Sequence, residues 1–320
     1  MRDGQMARWA LLLVIYAFSA TSAAQSLYRY QNQDGEWAFT DRPPETKAGE
    51  KPMLAESLST SWRPPVFEIY EEQTPTSVWL TARSTFVCPV QVQIQLTGEN
   101  LATGKELIIN RVIEADSISK IYEVKPNDEQ QKWSYEYKFQ YVLGDPEAQH
   151  QTAHRYQVPY AVGGRYRVSQ AYPDKITHIN EASQYAIDIG MPVGTAIHAA
   201  RGGKVINIAY DSFTGGTDQK NLPKANYIRI LHDDGTMAIY AHLDWQSIRV
   251  RPGDIVKRGQ YIASSGNTGF SSGPHLHFGV ERNAHFKIRS VNVQFEGLDD
   301  LDGDNGGAIT AKTGQFLRSN

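Results

Sequence analysis

His275 and His277 stand two apart in Gly273-Pro274-His275-Leu276-His277-Phe278. An extended chain sends alternate side chains to opposite faces, so both imidazoles share one face of a strand, one pleat repeat apart. Two rings that close can share one metal ion, or one can bind metal while the other moves protons. Asp188 in Tyr185-Ala186-Ile187-Asp188 and His242 in Tyr240-Ala241-His242-Leu243 add the residue types that complete such a set. Histidine and aspartate suit zinc, and a catalytic zinc keeps three protein ligands and one open position for water. Zinc polarises a carbonyl under attack and makes hydroxide available near neutral pH. A nearby free histidine takes the proton from that water and passes it to a leaving amine.

The elements that must position these residues are short strands. Residues 159–295 contain Lys204-Val205-Ile206-Asn207-Ile208, Tyr227-Ile228-Arg229-Ile230-Leu231 and Met237-Ala238-Ile239-Tyr240, punctuated by turns such as His232-Asp233-Asp234-Gly235 and Arg251-Pro252-Gly253-Asp254. No long helical period interrupts them, which predicts a C-terminal antiparallel β domain. Residues 61–158 alternate as well. Val90-Gln91-Val92-Gln93-Ile94-Gln95-Leu96 is apolar on one face and polar on the other, and Trp133 to Tyr141 repeats the pattern with aromatics. Several such strands predict a β-sandwich-like middle domain. It holds no catalytic set, so it reads as a spacer or as a docking module for a protein partner.

Residues 25–60 begin with Leu27-Tyr28-Arg29-Tyr30, Asp34-Gly35 and Trp37-Ala38-Phe39-Thr40, two short strands around an Asp-Gly turn. This hairpin, followed by a polar linker, resembles a small domain of unknown function found at the start of exported bacterial proteins. Residues 296–320 are polar and Gly-rich and are expected to form a flexible tail. The fold class is therefore mainly β throughout.

Residues 1–24 read as a signal peptide. Arg2 and Arg8 are basic, Trp9 to Ala20 is apolar but too short to span as a mature helix, and Ser22-Ala23-Ala24 offers small residues for cleavage before Gln25. An uncleaved anchor is the other reading of the same pattern. Cleavage implies a periplasmic or secreted protein with no stable membrane span. The net charge is −3 with 32 basic and 35 acidic residues, which gives no electrostatic case for a nucleic-acid partner. Cys88 is the single cysteine of the chain. No internal disulfide can form, and its apolar setting in Phe86-Val87-Cys88-Pro89-Val90 predicts a buried structural thiol.

Taken in order, Tyr185 to Thr195, Ala199-Ala200-Arg201-Gly202-Gly203, Tyr240 to Leu243, Ser265-Gly266-Asn267-Thr268-Gly269 and Gly273 to Phe278 resemble the lysostaphin-type (LytM-like) zinc metallopeptidases. The likeness covers about Gly164 to Val293. It implies a Zn2+ enzyme that cuts peptide bridges of bacterial peptidoglycan, with peptide stems as substrate. In an exported protein of this type the cross-link between D-alanine and diaminopimelate is the expected target. By the same resemblance Asp188 and His277 bind zinc and His242 and His275 are catalytic. The family's first zinc-binding histidine lies four residues before the aspartate, where this chain has Gln184, a poor ligand. A subgroup carries its histidine in a longer loop, in a Ser/Thr-His context, and Thr177-His178-Ile179-Asn180 resembles it. His178 is then the third ligand, looped over Asn180 to Ser183. Should that fail, the alternative is an inactive module that binds and activates other wall hydrolases.

Other candidates read as structural. His232 is expected to be a turn residue bonded to its own backbone, His198 to be structural or cleft-lining, and His285 to face solvent. His150 and His154 lie near the domain junction without a partner at ligand spacing. The Gly-rich run from Ser264 to Gly269 lacks the lysine of a phosphate loop. Asp299 to Asn305 lacks the closing glutamate of a calcium loop.

Overall fold

The computed structural model describes residues 64–296 and 309–319, together with the backbone of Tyr28–Gln31 and Trp37–Thr40. The segment read as a signal peptide and the Asp-Gly turn lie outside the described residues. The chain divides into two compact units, 1–64 and 65–320. Within the first, Tyr28–Gln31 and Trp37–Thr40 pair antiparallel, Tyr28 opposite Thr40 and Gln31 opposite Trp37.

The second unit opens with two three-stranded antiparallel sheets. One contains Phe67–Gln73, Val78–Ser84 and Ser117–Val124, and the other Glu106–Ile113, Val90–Glu99 and Ser134–Leu143. Alternation along Val90–Glu99 buries Val90, Val92, Ile94 and Leu96 against Leu80 and Ala82 of the facing sheet. This is the sandwich that the apolar–polar alternation predicts. Cys88 is fully buried in its core.

The C-terminal part is a nine-stranded sheet. Its order is Ile255–Val256, Gly203–Ala209, Tyr227–Leu231, Met237–Ala241, His275–Asn283, Ile187–Gly190, Arg165–Gln170 and Phe316–Arg318, with Ile288–Val291 also paired to His275–Asn283. A second small sheet, Ala196–His198 with Tyr261–Ser264, adds to the same core. Among the described residues the one helix is a short 3-10 turn, Gln219–Lys224. Tyr156, Tyr240, Phe278 and Phe295 are fully buried and fill the centre.

The middle and C-terminal parts share one compact unit, and Ile206 and Met237 of the large sheet enter the sandwich core. Gln294–Glu296 pairs parallel with Arg155–Gln157 beside the antiparallel strands. The expected flexible tail ends instead in a strand, Phe316–Arg318, on the edge of the large sheet opposite Arg165–Arg167. That edge would otherwise present unpaired backbone groups. Leu317 is buried there, its carbonyl accepts from the Tyr160 hydroxyl at 2.8 Å, and the Arg165 guanidinium lies 4.0 Å from the Phe316 ring centroid.

Candidate metal centre

Strand register assembles most of the site. Asp188 lies opposite His277 and Gly190 opposite His275 on the neighbouring strand, while Ala241 lies opposite His277 on its other side. Opposed residues on adjacent strands face the same side of a sheet, so Asp188 and His277 meet through pairing alone. His275 joins them by alternation. His242 follows the end of its strand with φ +61°, in the left-handed region. That turn brings its ring to 4.6 Å from His275 and 5.9 Å from His277, measured between centroids.

His178 reaches the same point from a loop. It is buried, and its Nε2 lies 3.2 Å from Asp188 Oδ2. His277 Nδ1 lies 2.8 Å from Asp188 Oδ1, and His275 Nε2 lies 3.7 Å from the same oxygen. The loop returns to the sheet through a turn at Asn180, whose carbonyl accepts from the backbone N–H of Ser183 and Gln184 at 3.1 and 2.9 Å. Gln184 itself spends its backbone on that turn and stands outside the cluster.

One ligand atom each from His178, Asp188 and His277 lie within 4.8 Å of one another. Ligand atoms of a tetrahedral zinc, each at about 2.0–2.1 Å from the ion, are about 3.3 Å apart. The contact of 3.2 Å is near that spacing and the one of 2.8 Å is shorter, because the two rings close on the carboxylate by hydrogen bonds. Two imidazoles and one carboxylate are a donor set that zinc accepts, so this cluster can coordinate a metal.

Electrostatics agree with the geometry. Burial pushes the Asp188 carboxyl up, yet hydrogen bonds from His178 and His277 outweigh it and hold the group well below the usual carboxylate range. The site therefore keeps a charged carboxylate. Burial pushes His242 down to about 4, with His275 and His277 adding to the effect, so its ring is neutral near pH 7. Its Nδ1 donates to the Thr268 carbonyl at 2.6 Å, and His275 Nδ1 donates to the Gly273 carbonyl at 2.8 Å. His242 is thereby left with an Nε2 lone pair. Thr268 and Gly273 sit inside the motifs, but their role as carbonyl anchors was not visible in their residue types.

A groove of about 700 Å³ runs over the site. Its walls include Gln170, Ile176, Thr177, Leu222 and Phe270, and Asp188 is the one carboxylate among its lining. The remaining histidines lie elsewhere. His198 Nδ1 donates to the Gly259 carbonyl at 2.9 Å, and exposed His285 lies 3.7 Å from Glu147. The His232 backbone closes its own turn, its N–H donating to the Thr236 carbonyl at 2.8 Å and its carbonyl accepting from Gly235 N at 3.1 Å, but its ring bonds elsewhere. It is buried and its Nδ1 donates to the Gly202 carbonyl at 2.9 Å. His150 Nδ1 is 3.9 Å from Asp234 Oδ2, a neighbour that sequence spacing did not suggest.

The sequence profile of peptidase family M23 matches residues 182–289. The match begins after His178. Lysostaphin from Staphylococcus simulans is 34% identical over 114 residues, covering 35% of this chain and 21% of that protein. Peptidoglycan DD-endopeptidase ShyB from Vibrio cholerae is 33% identical over 126 residues, covering 36% of this chain and 27% of that protein. The chain thus spans well under two thirds of the length of these relatives. Among solved structures, the catalytic domain of lysostaphin is 32% identical and covers 38% of this chain and 80% of that one, with a TM-score of 0.28.

Proposed function

Residues 182–289 are a domain of peptidase family M23, and on that premise we propose that the protein is a zinc-dependent endopeptidase acting on the peptide cross-links of bacterial cell-wall peptidoglycan. The observation that carries the proposal is the convergence of His178, Asp188 and His277 on one point. An inactive module would have lost ligands, whereas here a loop histidine supplies the one that Gln184 does not.

In this reading His178 Nε2, an Asp188 oxygen and His277 Nδ1 hold the ion. Zinc bound there supplies Lewis-acid polarisation of the scissile carbonyl and acidifies water. His275 acts as general base. Its Nδ1–H is committed to Gly273, so its Nε2 takes the proton of the attacking water and then returns it to the leaving amine. His242, its Nδ1–H fixed on the Thr268 carbonyl, turns its Nε2 lone pair to the water and orients it. The peptidoglycan substrate is supported by the names of relatives such as the DD-endopeptidase. Export to the periplasm or beyond is supported by the N-terminal pattern. No helix among the described residues is long and apolar enough to cross a membrane. Exposed Ile108 and Ile118 on the middle sandwich support a protein partner at that module.

Digestion of purified wall sacculi with mass analysis of the released peptides tests this. Wild type should release cleaved cross-link peptides and His275→Ala should release none while still binding about one zinc per chain. Intact sacculi after treatment with zinc-loaded wild type would remove the enzymatic reading.

A further inference from the structure

We propose that Gln170 is a positioning residue that holds His178 in place for the metal. The inference rests on the ligand set proposed above and goes beyond it. His178 is the one ligand that strand register does not place, and it lies ten residues ahead of Asp188. A loop ligand so far from its partner needs an outside brace.

Gln170 provides one. It is 4% exposed and ends the strand Arg165–Gln170, directly opposite Asp188. The pairing register shifts between Val168 and Gln170. Such a bulge re-aims a side chain, and here it turns Gln170 into the groove. Ser169 at the bulge donates its hydroxyl to the Asp188 carbonyl at 3.1 Å, which ties the irregularity to the metal strand.

The amide of Gln170 has one orientation that satisfies both of its ends. Its nitrogen donates to Thr177 Oγ1 at 3.0 Å, and its oxygen accepts from Thr177 N at 3.2 Å, His178 N at 2.9 Å and His178 Nδ1 at 3.2 Å. One oxygen thus fixes the backbone and the ring of the same residue. With Nδ1 engaged by Gln170, Nε2 is the nitrogen left to face Asp188 Oδ2 and an ion held beside it. A hydrogen bond to the far nitrogen of a ligating histidine orients the ring and raises its basicity. Thr177 is the second member of the brace and explains why a hydroxyl residue precedes His178 in this chain.

The test compares Gln170→Met, Gln170→Glu and His178→Ala in the full chain. Zinc affinity is measured by competition with a chromogenic chelator, and thermal unfolding of the zinc-free proteins reports the fold. Gln170→Met fills the same space without an acceptor and should weaken zinc binding 10–100-fold. Gln170→Glu should restore affinity to within a few-fold of wild type, since the Thr177 hydroxyl can rotate to donate and the other three groups are donors already. Gln170→Met with wild-type affinity, or Glu and Met equally weak, would overturn the positioning role while His178→Ala still loses zinc. His178→Ala with unchanged affinity would instead overturn the ligand set itself.

Discussion

Asn283 Nδ2 donates to Gln91 Oε1 at 2.9 Å, so the strand that begins with His275 ends against the middle sandwich. The same Asn283 nitrogen reaches the Gly144 carbonyl at 3.0 Å, and Gln91 Oε1 also accepts from Phe286 N at 3.2 Å. Both side chains are buried. With Met237 and Ile206 in the sandwich core, this joint makes the middle part a buttress of the strand His275–Asn283.

Asn283→Ala leaves the Gly144 carbonyl without a donor in a buried site. Unsatisfied buried groups cost about 1–3 kcal/mol, so a loss of about 2 kcal/mol is expected. Denaturant unfolding followed by tryptophan fluorescence and by far-UV circular dichroism checks it. The two probes should shift together, because the sandwich core includes Ile206 and Met237 of the large sheet. A separate early transition for the sandwich would contradict the buttress.

His178 and Gln184 compete for the role of third ligand, and substitution separates them. Zinc content after dialysis should fall far below one per chain in His178→Ala and stay at one in Gln184→Ala. Cell-wall cleavage should follow the same division. The reverse pattern would return the ligand to the position four residues before Asp188.

Acid should expose His232. Burial pushes its pKa down to about 4, and Arg201 acts in the same direction. The unfolded residue titrates near 6.5. Between these values the unfolded chain binds a proton that the native protein refuses, so stability falls as pH drops from about 6.5 to about 4 and is untouched above that window. One proton sets a slope of about 1.4 kcal/mol per pH unit. His232→Asn keeps a donor for the Gly202 carbonyl and should reduce the pH dependence of unfolding in this range by about one proton's share, His242 supplying a like one. Equal slopes in the two proteins would show that another group controls it.

The strand pattern was legible where burial on one face is complete. Val90 to Leu96 alternates because only one face meets the facing sheet, and the His275–His277 pair announced its shared face by spacing alone. Gln91 sits on the face that alternation marks as polar, yet it is buried. Nothing in its type says that another part of the chain will cover it. Gln170 was equally silent, since its role arises from a bulge that no residue type encodes. The edge strand Phe316–Arg318 buries one residue in three, Leu317, too short a signal to distinguish from a loop. His178 needed the resemblance, because a loop ligand has no periodicity to betray it.

The left-handed backbone at His242 carries a further implication. For a side chain bearing Cβ that conformation costs roughly 1–2 kcal/mol, and glycine or asparagine would relieve part of it. Selection for heat resistance alone would therefore push position 242 away from histidine. Under the proposed role of His242, laboratory evolution that monitors only melting would yield a sturdier protein with a weaker groove.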